Sequence, residues 1–249
     1  MFVVAHISDL HFNGTDYNRR RNEAAVEYIN QYSAGIDALL ITGDIADTGA
    51  REQYEEFVST VRSDLPTLTT IGNHDDLLTY RDVVGLPENS ILDIPHRSGD
   101  ADDLRIIAVD SSIPDSAGGY LTDATLEYVG SRISEVGSST PILLAFHHPP
   151  VVLHMPVMDV IRQTGEDRLA DLVAAHPNIA GLLCGHAHTP AVTTFAGRPL
   201  CLAPGVSSTL NLPFEGTGVV NVSQPPSIAF HLLDDERLTT HFRVATPKH

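Results

Sequence analysis

The chain of 249 residues is poor in basic side chains: 15 lysines and arginines stand against 32 aspartates and glutamates, for a formal charge of −17. That balance argues against nucleic acid as a partner, because phosphate backbones are held mainly by basic patches. The one tight basic cluster, Arg19-Arg20-Arg21, reads as a solvated helix face. Cysteine is scarce as well. Cys184 and Cys201 are the only two, too few for a disulfide framework, and both lie in apolar runs, so they read as buried thiols in a reducing compartment. No apolar run reaches 18 residues, and the opening "MFVVAHISDLHF" has no basic leader. The expectation is therefore neither a signal peptide nor a membrane span, and a cytoplasmic protein. Linkers, tandem repeats and low-complexity stretches are missing too. A chain of this length buries roughly three quarters of its surface on folding, and one domain over residues 1–249 is the simplest account.

What is present is an alternation of two periodicities. "FVVAHIS", "DALLIT" and "TLTTI" are short β-rich runs. Between them Ala24, Ala25, Tyr28, Ile29 and Tyr32, then Tyr54, Phe57, Val58 and Val61, recur at helical spacing. This β-α-β-α-β order predicts a parallel sheet with helices packed on it. "SILDIP" and "LRIIAVD" follow as strands joined by the turn-rich "HRSGDADD". A helix is expected over 122–135, with Thr122 or Asp123 as its cap, then the strand "PILLAF", a helix over 165–175 and the strand "IAGLLC". After residue 190 the helical signal disappears. "AVTTFA", "RPLCLA", "GVVNVS", "SIAFHLL" and "LTTHFRV" read as antiparallel strands separated by turns such as "AGR" and "DDE". The pattern suits an α/β fold in which two sheets pack together inside outer helices.

The strands end in an unusual set of side chains. "SDLH" supplies Asp9 and His11, "GDIAD" supplies Asp44 and Asp47, and "GNHD" supplies Asn73, His74 and Asp75. "HHPP" supplies His147 and His148, and "GHAH" supplies His186 and His188. Ligands of parallel α/β sheets bind just beyond the carboxyl ends of strands. Five segments thus deliver carboxylate, imidazole and amide groups to one edge. Each motif alone is weak, since thirteen histidines make one H-x-H pair close to an even chance. The joint occurrence at five strand ends is specific. Such donors suit hard and borderline divalent ions, and the lack of thiolates argues against a structural zinc site. Asp44, central on the edge, could bridge two ions through its two oxygens.

The series D-x-H, GD-x-x-D, GNHD, HHPP and GHAH resembles the calcineurin-like metallophosphoesterases. It is most similar to their cyclic-nucleotide phosphodiesterase branch, the bacterial 3′,5′-cyclic AMP phosphodiesterases and their glycerophosphodiesterase relatives. The resemblance spans residues 4 to about 209. It implies a four-layer α/β/β/α sandwich of two mixed sheets flanked by helices. It also implies one ion on Asp9, His11, Asp44 and His188, and a second on Asp44, Asn73, His147 and His186. Asn73, His74 and His188 would meet the substrate, and His74 resembles the family's catalytic histidine, which protonates the leaving alkoxide. The implied reaction is in-line attack on phosphorus by a hydroxide bridging two metals about 3.5 to 4 Å apart. Iron and manganese lead the candidate ions; zinc and cobalt are tolerated by the same donors.

Other residues keep two readings. Asp75 orients its neighbours or steadies the turn, and Asp47 supports a ligand or caps the helix after "TGA". His148 reads as structural, and His96 and His154 as surface residues. Segments 76–100 and 150–166 are expected to shape the substrate pocket. The expected substrate is a small anionic phosphodiester, cyclic AMP first, with a glycerophosphodiesterase or a broad phosphoesterase as runner-up. A non-catalytic scaffold of the same fold is the reading from a different class. No nucleic acid or membrane partner is expected, and a homodimer follows only from the resemblance.

Overall fold

The computed structural model describes residues 1–99, 102–216, 218–235 and 237–247. The chain opens with β1 (Phe2–Ile7), α1 (Asp16–Gln31), β2 (Ala38–Thr42), α2 (Arg51–Thr60), β3 (Thr67–Thr70) and α3 (Leu77–Val84). It continues through β4 (Ser90–Ile94), β5 (Leu104–Ala108), β6 (Ser112–Ile113), β7 (Ser116–Tyr120), α4 (Asp123–Ser134) and β8 (Ile142–Ala145). Next come α5 (Pro156–Asp159), β9 (Gln163–Thr164), α6 (Glu166–Ala175) and β10 (Ile179–Cys184). The rest is β11 (Ala191–Phe195), β12 (Arg198–Leu202), β13 (Thr209–Leu210), β14 (Val220–Asn221), β15 (Ser227–Asp234) and β16 (Arg237–Val244).

Two mixed sheets form. The first has the order β16-β15-β1-β2-β3, the second β11-β12-β10-β8-β5-β4. Strands β1, β2 and β3 run parallel, as do β5, β8, β10 and β12. Side chains alternate between faces along each strand, and that alternation builds the layers. On β1, Phe2 and Val4 face a core shared with Ile106, Ala108, Leu143 and Ala145 of the second sheet. The neighbouring Ala5 and Ile7 instead pack under Ala25, Ile29, Tyr54 and Phe57 of α1 and α2. On the far side Ile107, Leu144 and Leu182 meet Val129, Ile133, Leu169 and Val173 of α4 and α6. The result is the expected α/β/β/α sandwich. Thr122 is the cap of α4, its hydroxyl accepting from Thr125 N at 3.1 Å.

Several expectations need correction. Helix α3 lies where none was expected. Strand β12 is antiparallel to β11 but parallel to β10, and β15 returns to the first sheet beside β1. Only Val220–Asn221 of "GVVNVS" is strand, paired with β13 in a ribbon. Arg21 is not on a solvated face: it is buried, donating from Nε to Val206 O at 2.8 Å and from Nη1 to Gln224 O at 2.7 Å. It thereby fastens α1 to the 205–224 segment. The "HRSGDADD" link and the "DDE" turn each include residues outside those described. Cys184 and Cys201 are buried and free. Among the described residues no helix is long and apolar enough to cross a membrane.

Candidate metal centre

All the strand-end motifs follow parallel strands: Asp9 and His11 after β1, Asp44 after β2, Asn73 to Asp75 after β3, His147 after β8, and His186 and His188 after β10. The first sheet therefore supplies one half of the cluster and the second sheet the other. The chain must turn sharply at each exit. Asp9, His11, Asp44, His186 and His188 all have φ between 46° and 67°, a left-handed conformation that costs non-glycine residues about 1–3 kcal/mol each. Gly72 is required for a different reason. A Cβ there would lie 2.3 Å from Asp44 Oδ1 and 2.8 Å from His147 Nε2, so any other residue would push the GNHD turn off its neighbours.

Each imidazole is fixed by a bond made on the side away from the cluster. His147 Nδ1 donates to Thr42 O at 2.6 Å, and His188 Nδ1 lies 3.2 Å from Ser208 O and 3.0 Å from its hydroxyl. His11 Nδ1 donates to Asp47 Oδ1 at 3.1 Å, and His186 Nε2 donates to Ile161 O at 3.1 Å. The opposite nitrogen of each ring is left as a lone pair pointing inward. Those lone pairs converge. His11 Nε2 and His188 Nε2 are 3.2 Å apart, and His147 Nε2 and His186 Nδ1 are 3.3 Å apart. Asp44 Oδ2 lies 3.5 Å from His11 Nε2 and 3.4 Å from His147 Nε2, between the two pairs. Donor atoms of Asp9, His11, Asp44 and His188 all lie within 4.8 Å of one another.

Acceptors facing acceptors in a buried site call for a cation. Asp9 gives the sharpest sign: it is fully buried, its Oδ2 accepts from His186 N at 3.1 Å, and its Oδ1 has no hydrogen-bond partner among the described residues while lying 3.3 Å from His188 Nε2. The residues present fit a pair of metal ions. The electrostatics agree. Burial pushes the Asp44 carboxyl up, but the His147 and His11 imidazoles outweigh it and hold the group well below the usual carboxylate range. Burial pulls His147 down, yet Asp44 and Asp9 carry it to about 9, so that without an ion a proton on His147 Nε2 takes the cation's place beside Asp44, whereas burial and the neighbouring His147 take His186 to about 3.

Asn73 and His74 reach the same pocket as Asp44 and His186. The Asn73 amide oxygen lies 3.1 Å from His148 Nε2. His74 is exposed; its backbone N–H donates to Asp44 Oδ1 at 2.9 Å and its Nδ1 to Asp47 O at 2.7 Å. Asp47 does not cap α2, whose N-cap is Ala50; the Gln53 side chain accepts there from Thr48 N and Ala50 N. Asp47 instead holds His11 with its carboxylate and His74 with its carbonyl. Asp75 accepts from Gly72 N, Ile45 N, Ala46 N and the Tyr54 hydroxyl, tying the GNHD turn to the GDIAD loop. Burial and nearby Asp44 raise its pKa to about 6 against those backbone donors. His96 and His154 are on the surface.

The pocket over the cluster measures about 480 Å³, within the range of small-molecule sites. Beyond the polar floor its wall is apolar: Val157, Met158 and Ile161 on one side, Leu210, Val219 and Val220 on the other. Segment 150–166 thus shapes it as expected, but no described residue of 76–100 lines it; the β13–β14 ribbon does so instead. No sequence signal pointed to that ribbon, nor to the carbonyls of Thr42, Ile161 and Ser208 that aim the imidazoles.

Comparison with known proteins places this geometry. The family described as calcineurin-like phosphoesterase matches residues 2–190. A probable glycerophosphodiester phosphodiesterase of Arcobacter nitrofigilis is 30% identical, covering 96% of this chain and 92% of that one. The 3′,5′-cyclic adenosine monophosphate phosphodiesterase CpdA of Pseudomonas aeruginosa is 32% identical, covering 75% and 69%. A dimetal phosphatase from Danio rerio shares the fold at a TM-score of 0.68 and 12% identity, covering 99% of both chains.

Proposed function

The chain belongs to the calcineurin-like phosphoesterases, in their cyclic-nucleotide phosphodiesterase branch, and is a metal-dependent phosphodiesterase; on that premise we propose that it converts 3′,5′-cyclic AMP to 5′-AMP. The observation that carries this choice is the apolar wall beside the cluster. A nucleoside presents a flat, largely apolar face to Val157, Met158, Leu210 and Val220. A glycerol group would lose water to the same surface, and would find polar partners mainly where Asn13, Tyr17, Ser207 and Ser208 join the lining.

In this reading Asp9, His11, Asp44 and His188 would hold one ion, and Asp44, Asn73, His147 and His186 the other. Iron and manganese lead as occupants. When bound, the ions supply Lewis acidity toward the phosphoryl oxygens and lower the pKa of water. Asn73, His74 and His188 border the phosphoryl group. His74 keeps its Nδ1 proton on Asp47 O, so a second proton on Nε2 lies toward the pocket. That proton passes to the 3′ oxygen as the P–O3′ bond breaks, while the hydroxyl of water is gained by phosphorus and the proton that water gives up to solvent is matched by the one that restores His74. Asp47 aims both His11 and His74, and Asp75 braces the turn that carries Asn73 and His74.

The test is a substrate panel with manganese-loaded protein: cyclic AMP, cyclic GMP, glycerophosphoethanolamine and phosphomonoesters. Cyclic AMP should lead in kcat/KM. A glycerophosphodiester ahead of both cyclic nucleotides would overturn the choice in favour of the second reading, glycerophosphodiester hydrolysis. The near full-length similarity to the Arcobacter protein supports that alternative.

A further inference from the structure

We propose that His148 is a positioning residue that fixes the Asn73 amide with its oxygen available to the second ion. The inference rests on the reading that Asn73 is a ligand. His148 is fully buried, and both of its ring nitrogens are engaged. Nε2 lies 3.1 Å from Asn73 Oδ1, and Nδ1 lies 2.8 Å from the hydroxyl of Ser111, which also accepts from the His148 backbone N–H at 3.1 Å. One arrangement satisfies all three contacts. The Ser111 O–H donates to Nδ1, and Nε2–H donates to Asn73 Oδ1. The Ala117 carbonyl also accepts from the ring, and the other tautomer would make the buried Ser111 oxygen accept twice and set the Nε2 lone pair against Asn73 Oδ1.

Two consequences follow. An Nε2–H donor rejects the flipped amide, which would set N–H against N–H, so His148 selects one of the two orientations of Asn73. The amide oxygen has two lone pairs; His148 takes one and the other is free. His148 is also not a third imidazole ligand beside His147 and His186, although its nitrogens lie within 4.8 Å of theirs, because neither nitrogen has a lone pair to give. The ring has a seat of its own. A Cβ on Gly119 of β7 would come within 2.4 Å of the His148 ring, so bare backbone at that position admits the imidazole. Asn73 leaves the first sheet while Ser111 and His148 leave strands of the second, and the bond thus sets the amide by reference to the opposite sheet.

The test is binding of manganese alone, by equilibrium dialysis with metal counted per chain, in native protein, His148→Gln, His148→Leu and Asn73→Ala. Gln places an N–H donor near the ring's Nε2, and Leu fills space without one. His148→Leu should weaken only the second manganese, about 10- to 100-fold, and His148→Gln should restore it to within a few fold of native. If Asn73→Ala loses the second manganese but His148→Leu does not, this inference alone is wrong. If neither loses it, the reading of Asn73 as a ligand is wrong. Equal loss in His148→Gln and His148→Leu would show the imidazole itself to be needed, which also overturns the proposal. Nitrogen-15 histidine NMR of the native protein gives a check that no variant has to fold for: His148 should be protonated at Nε2, and protonation at Nδ1 would overturn the assignment.

Discussion

Asp9→Asn should stabilise the metal-free protein and weaken the metal-loaded one. Asp9 is fully buried, with one oxygen on His186 N and the other, Oδ1, without a hydrogen-bond partner among the described residues and 3.3 Å from His188 Nε2. Without a cation that oxygen is a buried acceptor facing a lone pair, a cost of about 1–3 kcal/mol. Asparagine keeps an acceptor for His186 N and sets an N–H opposite His188 Nε2, whose ring proton is directed to Ser208. At about 2–4 °C per kcal/mol for a chain of this size, the variant should melt roughly 2–12 °C above native in chelator. Metal reverses the sign. Each ion adds about 4 kcal/mol at free metal 1,000 times its Kd, and the variant, lacking an anionic ligand, should lose most of one ion's share. Calorimetry in EDTA and in manganese chloride reads both arms. A variant melting below native in EDTA would refute the claim that Oδ1 is a buried liability, and equal manganese shifts would refute Asp9 as a ligand.

His74→Ala should retain both ions by elemental analysis yet lower turnover of cyclic AMP by about 10²- to 10⁴-fold. The loss should be much smaller on bis(p-nitrophenyl) phosphate, whose leaving group needs no proton; loss of an ion would contradict the role. Asp47→Ala removes the acceptor that holds His11 Nδ1, and manganese affinity at the first ion should fall about 10- to 100-fold by titration. The third case lies away from the ions. Burial holds His231 at about 3, and its Nε2 meets His6 Nδ1 at 3.0 Å. The unfolded chain takes up that proton near pH 6.5 while the folded one does not until about 3. Stability is therefore complete above 6.5 and falls by about 1.4 kcal/mol per pH unit below it. Chemical denaturation of His231→Gln across pH 7 to 4 should show a shallower decline; an unchanged slope would remove His231 from the account.

The motifs were legible because a strand end is a local property: a β-rich run followed by Asp, His or Asn places the donor without knowledge of the fold. Partners from distant segments were not. Nothing in the sequence marks Thr42 O or Ser208 O as the groups that orient His147 and His188, since every residue carries a carbonyl. Asp47 had two readings because a carboxylate before a helix can cap or brace, and only the fold places it 3.1 Å from His11. Helix α3 was a different failure. Asp76 accepts from Thr79 N at 2.8 Å and Gly85 closes the helix at φ 75°; both signals stand in "DDLLTYRDVVG", but the helix is short and buries only Tyr80, so its apolar periodicity is weak. The parallel pairing of β12 with β10 was hidden because tight turns on one side of a strand say nothing about its other neighbour.

On the proposed assignment, the division of ligands between the two sheets would make the ions cross-links. Asp9 and His188 are separated by most of the motif-bearing part of the chain, and Asp44 and His147 by more than half that distance. An ion held by both members closes a loop of more than a hundred residues, the kind of closure that removes most entropy from an unfolded chain. A chain truncated before "GHAH" would keep Asp44 and His147 but lose His188, leaving the longer of the two loops open.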